Sequence, residues 1–315
     1  MHTSIWLWVG FNLFVLAMLA LDLGVFHRRA HAIGRREALA WSVFWVTLSL
    51  LFNLGVWHFA GGRKALEFFT GYLIEKSLSL DNIFVFLVIF TYFRVPAKYQ
   101  HRVLYWGILG ALLMRGAMIA VGAALLATFH WVIYIFGAFL VITGIRFALQ
   151  GEISVHPEAN PLLRLLRYVF PVTKDFREQH FFVREGLHWY ATPLLVVLVL
   201  VESSDIVFAV DSIPAIFAIT RDTFIVYTSN VFAILGLRAL YFLLASVMPM
   251  FRYLNVGLGV ILAYVGVKML LADFYEIPIL PSLGVIAVVL LVTVGASLWV
   301  VRREGPPEIP EGPGR

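Results

Sequence analysis

Hydrophobic residues fill long, almost unbroken blocks of this chain, and polar residues are confined to the short segments between them. A bilayer core about 30 Å thick takes roughly 20 apolar residues per helix. Nine blocks reach that length: 5–26, 41–60, 68–93, 103–129, 132–149, 191–217, 224–248, 254–271 and 281–301. The pattern predicts an all-α, polytopic membrane bundle of nine transmembrane helices forming one domain over 1–303. Gly- and Pro-bearing turns join most blocks. The exception is a segment of about forty residues, 150–190, whose run Leu162, Leu163, Leu165, Leu166, Val169 and Phe170 around Arg164 and Arg167 predicts an amphipathic helix at the membrane surface. The Pro-rich residues 304–315 read as a disordered tail. The first block lacks a cationic leader region and a small-residue cleavage site, which predicts a retained helix and not a signal peptide.

Basic residues orient the bundle. With the N-terminus outside, the inner segments hold sixteen Lys and Arg residues, and the outer segments hold only Arg63, Lys64 and Arg221. The net charge of +5 is thus a topology signal and no argument for nucleic-acid binding. Only 14% of residues are charged and 61% are hydrophobic, against roughly 25% and 45–50% in soluble domains, so a soluble enzyme is excluded. There is no cysteine, which removes disulfides, thiolate metal sites and thiol redox chemistry.

A repeat lies within the blocks. Phe136-Gly-Ala-Phe-Leu-Val-Ile-Thr-Gly-Ile-Arg146 aligns with Leu258-Gly-Val-Ile-Leu-Ala-Tyr-Val-Gly-Val-Lys268 at an offset of 122 residues. Ile108-Leu-Gly…Arg115 resembles Ile234-Leu-Gly-Leu-Arg238, and Ser79-Leu-Asp81-Asn-Ile-Phe84 matches Ser203-Ser-Asp205-Ile-Val-Phe208. The units are spans three to five (68–149) and six to eight (191–271). Three crossings per unit is odd, so the second unit is predicted to be inverted relative to the first. Secondary transporters use this arrangement around a site near the midplane.

The intramembrane charges sit at corresponding places in the two units. Span three carries Glu75, Lys76 and Asp81 with Ser77, Ser79 and Asn82; span six carries Glu202, Asp205 and Asp211 with Ser203, Ser204 and Ser212. Arg115 and Arg238 lie within the following spans. Glu75, Ser79 and Asn82 share a helical stripe, as do Glu202, Asp205 and Ser212. Asp81 and Asp211 fall off these stripes, which predicts polar surroundings on two sides or local unwinding; the Ser pair and Pro214 favour unwinding in span six. Five carboxylates face three cations, Lys76, Arg115 and Arg238, and the excess matches one divalent cation or two protons. An all-oxygen set suits hard cations such as Mg, Ca and Mn. The alternative is a salt-bridged core with protonated carboxylates. The histidines lie at span ends or between spans, and no P-loop or nucleophile constellation is present, so neither a zinc or copper site, nor ATP drive, nor enzymatic hydrolysis is predicted.

Three stretches carry a resemblance: Leu21-Asp22-Leu-Gly-Val-Phe26-His27-Arg28, Glu75-Lys-Ser-Leu-Ser-Leu-Asp81-Asn82 and Glu202-Ser-Ser-Asp205-Ile-Val-Phe-Ala-Val-Asp211-Ser-Ile-Pro214. They look like the signature stretches of the TerC/Alx family, within the lysine-exporter-like superfamily. That resemblance implies a prokaryotic inner-membrane protein of metal homeostasis, with manganese export its best-supported activity. The family name reflects tellurite resistance, and some members carry a redox label. Two functions follow as expectations. The first is proton-coupled Mn²⁺ export, with Asp81 and Asp205 as symmetry-related ligands, Glu75, Glu202, Asp211, Ser79 and Asn82 completing the site, and Arg115, Arg238 and Lys76 as counter-charges. The second is a membrane scaffold for a stress-resistance complex. Lipid, metal cation and protons are the expected partners, and no bound cofactor is expected.

Overall fold

A computed structural model describes residues 5–21, 34–129, 131–149, 160–185, 188–245, 253–275 and 277–304. Asp22, the end of predicted span seven and the tail beyond Glu304 lie outside the described residues, as does the side chain of Asp81. The described residues form eleven helices and a hairpin: α1 (Ile5–Leu21), α2 (Arg35–Ala60), α3 (Gly62–Tyr92), α4 (Ala97–Thr128), α5 (Val132–Leu149), α6 (Pro161–Val169), β1 (Phe182–Glu185), β2 (His188–Ala191), α7 (Pro193–Phe217), α8 (Thr223–Leu235), α9 (Leu237–Leu244), α10 (Leu254–Leu270) and α11 (Ile279–Glu304). Among them α2, α4, α5, α7, the joined α8–α9 and α11 provide six segments long and apolar enough to cross a membrane. Helices α1 and α10 are apolar but only 17 residues long. Helix α3 is long, at 31 residues, but carries Glu75, Lys76 and Asp81 in its apolar half.

Local chemistry sets the helix starts. Asn160 accepts from the Leu162 and Leu163 amides with Pro161 at the first helical position of α6, and Asp222 accepts from the Phe224 and Ile225 amides to start α8. The 150–190 segment holds more than the expected surface helix: β1 and β2 pair antiparallel, from Phe182 opposite Ala191 to Glu185 opposite His188. Thr192 precedes α7, so the sixth span starts at Pro193 and not at 191.

Two departures concern helix continuity. Span six does not unwind. The Ser203 and Ser204 hydroxyls donate to the carbonyls of Val199 and Leu200, four residues back, and α7 runs through Pro214 to Phe217. Span seven is the one with an interruption, a single residue at Gly236 between α8 and α9, where the backbone angles stay right-handed.

The apolar core surrounds α3, α7 and α8. One cluster joins α3, α4, α7 and α9 beneath Leu163 of α6; a second joins α1, α2, α3 and α8; a third joins α5, α7, α8 and α10. Side chains such as Leu13, Leu51, Ile142 and Leu291 are exposed, as lipid-facing side chains of a helical membrane protein are. Helices α5 and α10 meet at glycines. A Cβ on Gly144 would lie 2.5 Å from the Gly259 carbonyl, one on Gly259 would lie 2.5 Å from the Gly144 carbonyl, and Gly137 and Gly266 oppose each other likewise. The order of these pairs makes the two helices antiparallel, at the backbone-to-backbone approach that small residues permit.

Candidate ion site

Arg115, on α4, is 2% exposed and is the hub of the buried polar residues. Its Nε donates to Asp205 Oδ2 at 3.0 Å and its Nη2 to Asp205 Oδ1 at 2.8 Å, a bidentate pair. Its Nη1 donates to Glu75 Oε1, to Asn230 Oδ1 at 3.2 Å and to Ser212 Oγ at 3.4 Å. Asn230 closes a ring by donating through Nδ2 to Glu75 Oε2 at 3.1 Å, and Asn82 donates to Asp205 Oδ1 at 3.3 Å. Four helices, α3, α4, α7 and α8, therefore meet at one guanidinium.

Two further carboxylates border this network. Asp211 is buried, with the Thr143 hydroxyl of α5 against it. The Glu202 carboxylate rests on Gly110 of α4, where an added Cβ would come within 2.1 Å of Glu202 Oε1. Among the described residues neither forms an ion pair. Among the described residues, three buried oxygens at this site have no hydrogen-bond partner: Ser79 Oγ, Asn82 Oδ1 and Glu202 Oε2. A small cavity is lined by Glu75, Asn82, Arg115, Asp211 and Ser212 with apolar side chains of α3, α5, α7 and α10. A second is lined by Asp205, Arg238 and apolar side chains of α3, α4, α7, α8 and α9. The Arg115–Asp205 pair thus borders both.

The site residues predicted from sequence divide into three groups. Glu75, Asn82, Asp205 and Arg115 share the hydrogen-bonded network, with Glu202, Asp211 and Ser79 beside it. The two other cations reach further partners. Arg238 places Nη1 3.0 Å from His101 Nε2, and Lys76 donates to the Ala233 carbonyl at 3.2 Å. Asp81 lies on the backbone of α3, six residues beyond Glu75, with its side chain outside the described residues. Among the described residues, no three His, Asp or Glu side chains converge as a preformed metal site. The guanidinium of Arg115 stands where the carboxylates meet. Sequence reasoning missed Asn230, although the polar run Thr228-Ser229-Asn230 interrupts an apolar span and was available as a signal.

Comparison with known proteins bears on this architecture. Residues 60–305 match the family model described as the integral membrane protein TerC family. The chain is 57% identical over 292 residues to the uncharacterized membrane protein STKORF319 of Myxococcus xanthus, covering 93% of this chain and 92% of that one. It is 54% identical over 303 residues to Alx of Escherichia coli K12, whose name proposes a membrane-bound redox modulator, covering 93% and 94%. A membrane protein of Rickettsia bellii is 41% identical over 92% of this chain and 96% of its own. No solved structure matches.

Proposed function

This chain belongs to the TerC family of integral membrane proteins, and from its buried carboxylate network we propose that it exports a divalent cation, Mn²⁺ in the first instance, in exchange for protons. The observation that carries this reading is the charge imbalance around Arg115. Glu75, Glu202, Asp205 and Asp211 are four acids on two helices, and among the described residues the guanidiniums lining the two cavities are those of Arg115 and Arg238. Asp81 adds a fifth acid and Lys76, beside Glu75, a third cation, so the excess stays at two. A core built for stability alone has no use for unpaired buried carboxylates, each costly to ionise away from water. Two uncompensated charges match one divalent ion or two protons. The donors are all oxygen, and Ser79 Oγ and Asn82 Oδ1 are buried acceptors with coordination capacity to spare.

In this mechanism Arg115 is the internal stand-in for the cargo. It holds Glu75 and Asp205 together while the site is free of metal, and it must withdraw when a cation takes the same oxygens. Carboxylate ligands deprotonate as the ion binds and reprotonate as it leaves, which couples the two fluxes.

The proposed architecture is a pair of inverted three-helix units, 68–149 and 191–271, in nine crossings, with the N-terminus outside and the C-terminus in the cytoplasm of a bacterial inner membrane. The glycine contacts support it. At the repeat offset of 122, Gly137 corresponds to Gly259 and Gly144 to Gly266. The contacts pair Gly137 with Gly266 and Gly144 with Gly259, so each contact is the symmetry image of the other. Because α5 and α10 are antiparallel, the axis relating them lies across the helices, as inversion in a membrane requires. The packing of α3 on α8 and of α4 on α7 follows the same exchange. A redox role of the kind named for Alx would need a carrier other than cysteine thiols, of which the chain has none.

Proteoliposomes loaded with Mn²⁺ test the reading. Efflux should accelerate with an inward proton gradient and disappear in Asp205→Asn. Absence of flux in either condition from correctly folded protein would leave the scaffold role as the better account.

A further inference from the structure

The interruption of span seven coincides with a hydrogen bond of the Lys76 ammonium. Helix α8 ends at Leu235 and α9 begins at Leu237. Lys76 Nζ reaches from α3 to the Ala233 carbonyl, in the last turn of α8. An added Cβ on Gly236 would lie 2.9 Å from that Nζ and 3.2 Å from Trp45 Cβ. Gly236 has ordinary right-handed backbone angles, so glycine is needed here for space and not for a left-handed turn. A helix C-terminus concentrates carbonyl oxygens and the negative end of the macrodipole, and an ammonium there satisfies both.

From this geometry we infer that Lys76 is a positioning residue, the pin of a hinge at Gly236 that ties the orientation of α9 to α3. Its neighbour Glu75 points into the Arg115 network, so consecutive residues of α3 grip the ion site and the break. The break also divides span seven by content. Asn230, bonded to both Glu75 and Arg115, lies on α8, whereas Arg238, which lines the second cavity with Asp205, lies on α9. Any rotation of α3 that opens the Glu75–Arg115 contact pulls on the carbonyl end of α8 and swings α9 with Arg238. This is the discontinuous-helix design of transporters, with a lysine as the link between the units.

The test reads distances and needs no metal, so it stands apart from the identity of the cargo. The chain lacks cysteine, so spin labels can be placed on the natural background. One pair, Lys98→Cys with Leu244→Cys, spans α4 and the end of α9. A second pair, Lys98→Cys with Thr223→Cys, spans α4 and the start of α8. In Lys76→Met, which keeps length but removes the donor, the α9 distance should shift or broaden while the α8 distance stays unchanged. Lys76→Arg should restore the narrow α9 distribution. Gly236→Ala, whose methyl group displaces the ammonium, should mimic Lys76→Met. Unchanged α9 distances in both variants would overturn the hinge. Equal broadening of both pairs would overturn it as well, because Lys76 would then hold the core in general.

Discussion

Arg115 of α4 and Asp205 of α7 face each other through two near-parallel hydrogen bonds of 3.0 and 2.8 Å, with both side chains almost wholly buried. Removing one partner of such a pair leaves an uncompensated charge, which costs about 3–5 kcal/mol where the pair is inside protein. Arg115→Met should therefore lower the melting temperature of purified protein sharply. Adding Asp205→Asn should recover part of that loss, because the charge left behind is gone. A double-mutant cycle on thermal unfolding checks this, and additive single effects would show that the pair is not coupled.

The glycine contacts of α5 and α10 give a symmetric expectation. Gly144→Ala and Gly259→Ala each push a methyl group to 2.5 Å from the opposing backbone, so both should destabilise, and to a similar degree. Gly284 and Gly295 of α11 have open space around the added Cβ. Alanine there should be neutral or stabilising by about 0.5–1 kcal/mol, the helix-propensity gain. Thermal shifts of the four variants and of Gly266→Ala decide it. The repeat equivalent of Gly144 is Gly266, so a large difference between Gly144→Ala and Gly266→Ala would argue against the two-fold relation.

What could be read from the sequence depended on how each feature announces itself. The membrane helices stand out because a bilayer demands runs of apolar residues that no other setting produces at this density. Glu75, Asp205 and Arg115 stand out because a charge within such a run is conspicuous. Asn230 does not, since an amide among Thr228 and Ser229 resembles the hydroxyl residues that back-bond inside helices. The interruption at Gly236 leaves no local signal, because a single glycine with right-handed angles does not disturb the apolar run around it. Pro214 misled in the opposite sense. Helix α7 runs through it to Phe217, where burial of Ile213, Ala215, Ile216 and Phe217 overrides proline's local cost. The hairpin 182–191 was hidden by four-residue strands, too short for an alternating pattern.

At the other end of α3, Lys64 bridges Glu67 Oε2 at 2.9 Å and Asp222 Oδ2 at 3.0 Å, and Thr220 donates to the same Glu67 oxygen at 2.6 Å. Burial pushes the Lys64 ammonium down, but the carboxylates of Glu67 and Asp222 more than offset this and hold its pKa above the ordinary lysine value of 10.5. A raised lysine pKa gives stability that is complete below the unfolded value and lost as pH climbs through the folded one. The turn between α7 and α8 should thus be insensitive to pH near neutrality and loosen only above about pH 10.5. A fluorophore on Arg221→Cys should report that alkaline step, and Lys64→Met should abolish it.

Asp205→Asn separates the roles of charge and shape at the site. Asparagine keeps nearly the same volume and one oxygen ligand, yet it removes a formal charge. A divalent ion with ligands at about 2.0–2.6 Å loses much of its binding when an anionic ligand becomes neutral. The fold should suffer less, since Arg115 keeps Glu75, Asn230 and Ser212 as acceptors and the net-negative network repels itself less. The variant should accumulate in the membrane as the parent does but fail to protect cells from excess manganese. Asp81→Asn should behave alike if the two aspartates are equivalent in the repeat. Ser77→Ala should be mild, because that hydroxyl already donates to the Leu73 carbonyl in its own helix. Full protection by Asp205→Asn at normal abundance would remove this aspartate from the transport pathway. Failure accompanied by loss of the protein from the membrane would instead assign it a structural role.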